Sequence, residues 1–130
     1  MASRDLNDLS PHCRELAIKF QAGCIADGLD ILIYCTYRSS KEQDELYACG
    51  RTKVGKKVTN CRGGQSNHNH VDALGKPAAD AFDFVPMLHG KPQWGDAVLY
   101  GKAGKIAESV GLRWAGRWTG SLKETAHCEI

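Results

Sequence analysis

No uninterrupted apolar run in this chain of 130 residues approaches the length of a bilayer-spanning helix, which excludes a helical membrane protein. The opening stretch, MASRDLNDLSPHCRELAIKF, also lacks the continuous apolar core of a signal peptide, so synthesis in a cytoplasm and solubility there are expected. Pro- or Ser-rich linkers and internal repeats are absent, and the length suits one domain over residues 1–130 with one modest core. A net charge of +2 is too small to argue for nucleic acid, and the single basic loop has no interleaved aromatics. None of the six cysteines forms a C-x-x-C pair, which leaves a zinc ribbon or a thioredoxin-type motif without support. Cys13 and Cys24 fall on the apolar face of a helix and Cys35 lies inside a strand. Reduced thiols serving as small hydrophobes are therefore expected.

What is present centres on residues 63–86, GGQSNHNHVDALGKPAADAFDFVP. This stretch opens on a Gly-Gly pair, offers His68 and His70, and closes on the run Ala81-Phe82-Asp83-Phe84-Val85. Strand alternation puts Phe82 and Phe84 on one face and Asp83 on the other. A carboxylate leaving an otherwise buried strand needs a partner, because an unpaired buried charge is costly. A metal shared with a histidine supplies one. The C-terminus contributes Glu124-Thr125-Ala126-His127, a carboxylate three residues ahead of a histidine. Two histidines and one aspartate make three zinc ligands with the fourth position left for water, the layout of a catalytic site.

Around this stretch the elements follow from spacing. Ser10-Pro11 caps a helix whose buried stripe is Cys13, Leu16, Ala17, Phe20 and Cys24, ending at Gly28. Residues 31–36 form a strand that runs into Tyr37-Arg38-Ser39-Ser40. Ser40 with Gln43 is a capping-box pattern that opens a helix to about Cys49. Residues 50–67 read as a loop with Arg51, Lys53, Lys56, Lys57 and Arg62 and no acid. Met87 to Lys91 reads as a turn with His89 exposed. Asp96 caps a second long helix, with Leu99, Tyr100, Ala103, Ile106, Ala107 and Val110 on its apolar side. Gly101 and Gly104 weaken that helix by about 1 kcal/mol each. Strands at Leu112–Gly116 and Ala126–Ile130 complete the chain, the last bringing His127 against the Asp83 strand.

Ser66-x-His68, Ala81-x-Asp83, Glu124-x-x-His127 and the Tyr37-Arg38-Ser39 and Gln43 signals occur in an order that resembles the zinc D-Ala-D-Ala carboxypeptidase (VanY-like) clan. Within that clan the chain is similar to single-domain phage endolysins that cut the L-alanyl-D-glutamate bond of peptidoglycan. The resemblance spans residues 31–130. It departs from the clan in an insertion carrying Asp72, Gly75 and Asp80, which makes Asp80 the alternative to Asp83, and in Ala126 where proline is usual. The resemblance implies an α+β fold, a small antiparallel sheet carrying the zinc site and flanked by helices, of the D-Ala-D-Ala carboxypeptidase/hedgehog-like type. It also implies one zinc on His68, Asp83 and His127, with His70 at the rim or behind the ligands. Glu124 is then the general base and Arg38 stabilises developing negative charge. Arg38, Gln43, Ser66 and Trp118 meet the substrate, Ser66 as a structural hydroxyl and not a nucleophile.

The implied partner is the peptidoglycan stem peptide, met by a monomer with no stable membrane insertion and no separate wall-binding domain. The expected location is the cytoplasm of an infected host, with action on the wall in the periplasm after release. The basic loop reads first as a solvated face; beside stem peptides its charge would also draw in their carboxylates. Two other functions compete: a D,D-carboxypeptidase that removes terminal D-alanine, and a catalytically inactive, zinc-stabilised wall-binding module. The spare acid Glu124 argues against the second.

Overall fold

The computed structural model describes residues 2–120 and 123–130. Its regular elements are α1 (Pro11–Ala26), β1 (Asp30–Cys35), α2 (Ser40–Ala48), β2 (Ala81–Leu88), β3 (Lys91–Pro92), α3 (Ala97–Ser109), β4 (Arg113–Trp114) and β5 (His127–Glu129). Short 3-10 turns sit at Leu6–Asp8, Asn67–Asn69 and Ala115–Arg117. The strands form one antiparallel sheet in the order β1-β2-β5-β4, with β3 paired to the far end of β2. This is the expected α+β arrangement.

Helices α1 and α3 pack together and against one face of the sheet. Phe20 of α1 meets Phe84 edge-on at 5.1 Å and Phe82 at 5.6 Å, and Phe84 meets Tyr100 of α3 at 5.5 Å. All three phenylalanines are fully buried. At about 3 kcal/mol for each buried phenylalanine, this cluster is a main source of stability. Because Phe82 and Phe84 face the helices, Asp83 between them must face the other way. Cys13, Cys24 and Cys128 lie in the same core, and all six cysteines are free. Burial, then the nearby charge of Asp80, pushes the Cys13 thiol up to about 12, so it is inert.

Several local expectations shift. The cap of α2 is Ser39, which accepts from the Glu42 amide while the Glu42 carboxylate accepts from the Ser39 amide. Both Ser39/Glu42 and Ser40/Gln43 satisfy the capping spacing; the earlier register wins because Gln43 is needed elsewhere, against Arg38. Strand β2 continues through Met87 and Leu88, and the turn is the pair His89-Gly90, both at positive φ (51° and 75°). His89 is exposed there, as expected. The Trp-rich segment is a two-residue strand followed by a 3-10 turn.

Gly104 has a packing purpose that helix propensity does not show. A Cβ built on it would fall inside the Trp114 indole, as would one on Gly116. The ring is held between these two glycines, and its Nε1 donates to the Thr125 carbonyl at 2.8 Å. The neighbouring Ala115 carbonyl accepts from the Glu124 amide at 3.2 Å. Trp114 thus ties α3 to the segment that delivers Glu124 and His127. Gly101, by contrast, has open space where its side chain would be.

Gly104→Ala should therefore destabilise the fold by about 1–3 kcal/mol through overpacking, whereas Gly101→Ala should stabilise it by up to about 1 kcal/mol. Thermal unfolding of the two variants checks this; equal shifts would remove the packing role of Gly104.

Candidate active site

Asp83 lies opposite His127 in the β2–β5 ladder and opposite Cys35 in the β1–β2 ladder. His68 arrives from the 3-10 turn Asn67–Asn69, whose N-cap Ser66 accepts from the His68 amide at 3.2 Å. The turn is bound to the end of β1 by two further bonds. The Arg38 amide donates to the His68 carbonyl at 2.9 Å, and the Asn69 side chain donates to the Arg38 carbonyl at 2.8 Å.

Three side-chain atoms converge. Asp83 Oδ1 is 3.2 Å from His68 Nε2 and 3.2 Å from His127 Nδ1, and the two ring nitrogens are 3.3 Å apart. The opposite nitrogen of each ring is engaged behind the site. His68 Nδ1 lies 2.8 Å from the Thr36 carbonyl, which can only accept, so this nitrogen carries a hydrogen. His127 Nε2 lies 2.8 Å from Glu129 Oε1, and hydrogen bonding to His127 overrides burial to hold that carboxyl below its usual range. With both rings neutral, three lone pairs point at one another. That arrangement suits a cation at their centre, and carboxylate or carbonyl partners behind ligating histidines are the usual support for a metal.

Without a metal, protons supply the attraction. Burial opposes charge on His68, but the Asp83 carboxylate outweighs it and pushes the imidazole up to about 10. His127 is raised as well, burial again being overcome by its hydrogen bonds to Asp83 and Glu129. Asp83 is held well below the carboxylate range, its burial outweighed by His68 and His127.

Cys35, His68 and Asp83 also place donor atoms within 4.8 Å of one another. In that set the Thr36 carbonyl already claims the His68 nitrogen nearest the sulfur, 3.8 Å away, and Arg38 Nη2 donates to the thiol at 3.3 Å. The set completed by His127 leaves both of those bonds intact.

A cleft of about 480 Å³ opens onto these residues, walled by Tyr34, Arg38, Ser66, Trp118 and Glu124 among others. Glu124 Oε2 is 3.9 Å from His127 Nδ1 with its side chain half exposed. Partial desolvation raises the Glu124 carboxyl more than His127 lowers it. Trp118 lies against the His127 ring with centroids 6.0 Å apart. Arg38 faces the second oxygen of Asp83 at 3.6 Å and donates to Gln43 Oε1 at 2.9 Å. Gln43 itself is 0% exposed, and its amide nitrogen donates to Thr59 Oγ1 and the Cys61 carbonyl. It does not line the cleft itself and reaches it through Arg38, Thr59 and Cys61, which do.

Of the two aspartates open to the role, the structure brings Asp83 to the histidines. Asp80 is paired with His70 and accepts from Ser10, fastening the histidine-bearing loop to the start of α1. Two residues of the site have no place in the sequence reading. Glu129 was accessible in principle, since residues two apart on a strand share a face. Cys35 was not, because a register shift between Ile33 and Cys35 turns it out of the core.

No protein-family model matches the chain. Over 131 residues it is 36% identical to the peptidoglycan L-alanyl-D-glutamate endopeptidase CwlK of Bacillus subtilis (strain 168), a match covering 95% of this chain and 74% of that protein. The chain belongs to the family of peptidoglycan L-alanyl-D-glutamate endopeptidases. The fold agrees with the crystal structure of the Serratia marcescens L-Ala D-Glu endopeptidase ChiX, with a TM-score of 0.69 at 16% identity over 100% of this chain and 88% of that one. In this member of the endopeptidase family the cleft, the converging donors and the adjacent free acid lie together.

The raised His68 value sets a pH test on metal-free protein. Stability from a raised imidazole is fully present below its unfolded pKa of about 6.5 and is lost as pH rises through the folded value, here about 10. The contribution of Asp83 runs the other way, present above about pH 4 and lost only in strong acid. Thermal unfolding in chelator should therefore show a falling midpoint from about pH 6.5 to 10, and His68→Ala should flatten that slope. An unchanged slope would disconnect it from this pair.

Proposed function

We propose that this chain is a zinc peptidase that cleaves the L-alanyl-D-glutamate bond of peptidoglycan stem peptides. The observation that carries the reading is the triangle of His68 Nε2, Asp83 Oδ1 and His127 Nδ1, with edges of 3.2, 3.2 and 3.3 Å beside a spare carboxylate. Tetrahedral zinc with bonds of about 2.0–2.1 Å has ligand–ligand edges of about 3.3–3.4 Å, close to that triangle. The donor types fit zinc as well, and three protein ligands leave one position open. When bound, zinc supplies Lewis acidity, lowering the pKa of water and polarising a carbonyl.

The protein's own groups do the rest. Glu124, at the cleft mouth with a raised pKa, takes the proton of the attacking water and returns it to the leaving amine. Arg38 holds Asp83 through its second oxygen and keeps positive charge beside the reacting carbonyl. Gln43 fixes Arg38, Ser66 fixes the turn of His68, and Trp118 walls the cleft against His127. Kinship with CwlK supports peptidoglycan as the substrate. A phage lysin made in an infected host and acting on the periplasmic wall after release is part of the same proposal. Hydrolysis of isolated sacculi, with no lysis of intact cells treated from outside, would accord with it.

Metal analysis should show large zinc losses in His68→Ala, Asp83→Ala and His127→Ala, with zinc retained in His70→Ala, Asp80→Ala and Cys35→Ser. Zinc loss in Cys35→Ser with retention in His127→Ala would replace the proposed ligand set by the thiol set. Glu124→Gln should keep its zinc and its fold while peptidoglycan hydrolysis falls roughly 10²–10⁴-fold, the usual worth of a positioned acid–base group. Near-normal turnover by the zinc-loaded variant would remove Glu124 from the mechanism. Mass spectrometry of muropeptides digested by the native enzyme reports the bond: a new N-terminal glutamate supports the proposal, and release of free D-alanine supports the carboxypeptidase instead.

A further inference from the structure

Tyr34 stands at an irregularity that the reading above leaves unused. Along β1 the pairing with β2 is regular from Asp30 to Ile33 and then slips by one residue, so that Cys35 and not Tyr34 faces Asp83. Tyr34 is the extra residue of a β-bulge. Bulges re-aim side chains and recur beside active sites. Tyr34, next to the inward-facing Ile33, lines the cleft it shares with Arg38, His68, Asp83 and Glu124, and the bulge turns Cys35 to that same face. The ring is fixed from outside by Trp94, edge-on at 5.2 Å and 76°. Trp94 is itself 57% exposed, so it acts here as a brace and not as core.

The hydroxyl has no hydrogen-bond partner among the described residues, where no buried polar side-chain atom goes unpaired; it is therefore open to solvent. Tyr34 also borders a second hollow, which holds Glu42 and Glu45. Burial, then the charge of Asp83, raises its pKa, which keeps the hydroxyl protonated at neutral pH. It is thus a donor with no acceptor on the wall of the cleft that holds the converging ligands, its ring packed against Trp94. Arg38, another donor on this wall, already donates to Gln43 and to Cys35 and faces Asp83. The hydroxyls of Ser66 and Thr59 accept from backbone amides of their own loop, and Thr59 accepts also from the Gln43 side chain of α2.

We propose that Tyr34 is a further catalytic residue of this site, its hydroxyl donating a hydrogen bond to the substrate's scissile carbonyl oxygen as negative charge develops there. The phenol keeps its proton throughout, and its effect is to stabilise the oxyanion from a direction that Arg38 does not cover. This role rests on the peptidase reading above. Trp94 is a positioning residue that acts through Tyr34.

The test is Tyr34→Phe in the zinc-loaded enzyme with a soluble muropeptide as substrate. The variant removes one oxygen and keeps the ring against Trp94, so zinc content and unfolding temperature should not change. Loss of an oxyanion donor should lower kcat by roughly 10²-fold with little change in KM. Affinity for a phosphinate transition-state analogue should fall in parallel, while affinity for the cleaved peptide should not. Trp94→Ala should lower kcat in the native background and add little in the Tyr34→Phe background, as expected of residues in one chain of action. Native kcat in Tyr34→Phe overturns the role. Loss of zinc or of fold along with activity also overturns it, making Tyr34 structural. If the native enzyme cleaves no muropeptide, the peptidase reading itself has failed; an active native enzyme with an equally active Tyr34→Phe variant removes Tyr34 alone.

Discussion

The attraction between the Asp83 carboxylate and two inward-facing imidazoles is the interaction on which the rest of this structure depends. Neither partner is stable in its buried position alone. A lone carboxylate on a β-strand facing away from solvent, or a neutral histidine aimed at another nitrogen, carries an unmet electrostatic cost. The protein meets it by closing the set: Asp83 Oδ1 serves both rings, Oδ2 faces Arg38, and the far nitrogens are held by Thr36 and Glu129. The free lone pairs are thereby left at the centre, where a cation or a proton binds them together.

Holding that set requires the fold to bring four separate segments to one place. Antiparallel pairing of β2 with β5 places Asp83 opposite His127, and the aromatic cluster of Phe20, Phe82 and Phe84 on the far face sets the direction in which Asp83 points. The loop bearing His68 is fastened twice, to the end of β1 through Arg38 and to α1 through the Ser10–Asp80–His70 contact. Trp114, lodged between two glycines, fixes the short segment that leads to Glu124 and His127. The chemistry is concentrated in side chains whose backbones are tied by hydrogen bonds rather than left in free loops, as a preorganised site needs.

Much of this was legible from residue order. Period-3.6 patterning over residues 11–26 and 97–110 located both core helices. Alternation across Phe82-Asp83-Phe84 told which way the aspartate faces. The choice of His68 and His127 among the histidines came from the family resemblance carried by Ser66-x-His68 and Glu124-x-x-His127. Periodicity and alternation are local signals. They come from the geometry of a single helix or strand, which the sequence states directly.

What the tertiary structure alone decided are the relations between elements. Two capping registers for α2 were equally good on local grounds, and burial of Gln43 against Arg38 chose between them. Gly104 reads as a weak point in a helix until the Trp114 ring is seen to occupy the space of its missing side chain. Cys35 reads as a small hydrophobe inside a strand; it is buried as such, and a one-residue bulge at Tyr34 sets it opposite Asp83. Asp80 and Asp83 differ in sequence by three positions, but only the packing of the loop onto α1 assigns one to Ser10 and His70 and leaves the other to the site. Residue types and periodicity determined which groups this protein could use and which face of each element they occupy. Register, bulge and loop docking determined which of them meet, because those depend on contacts between residues far apart in the chain.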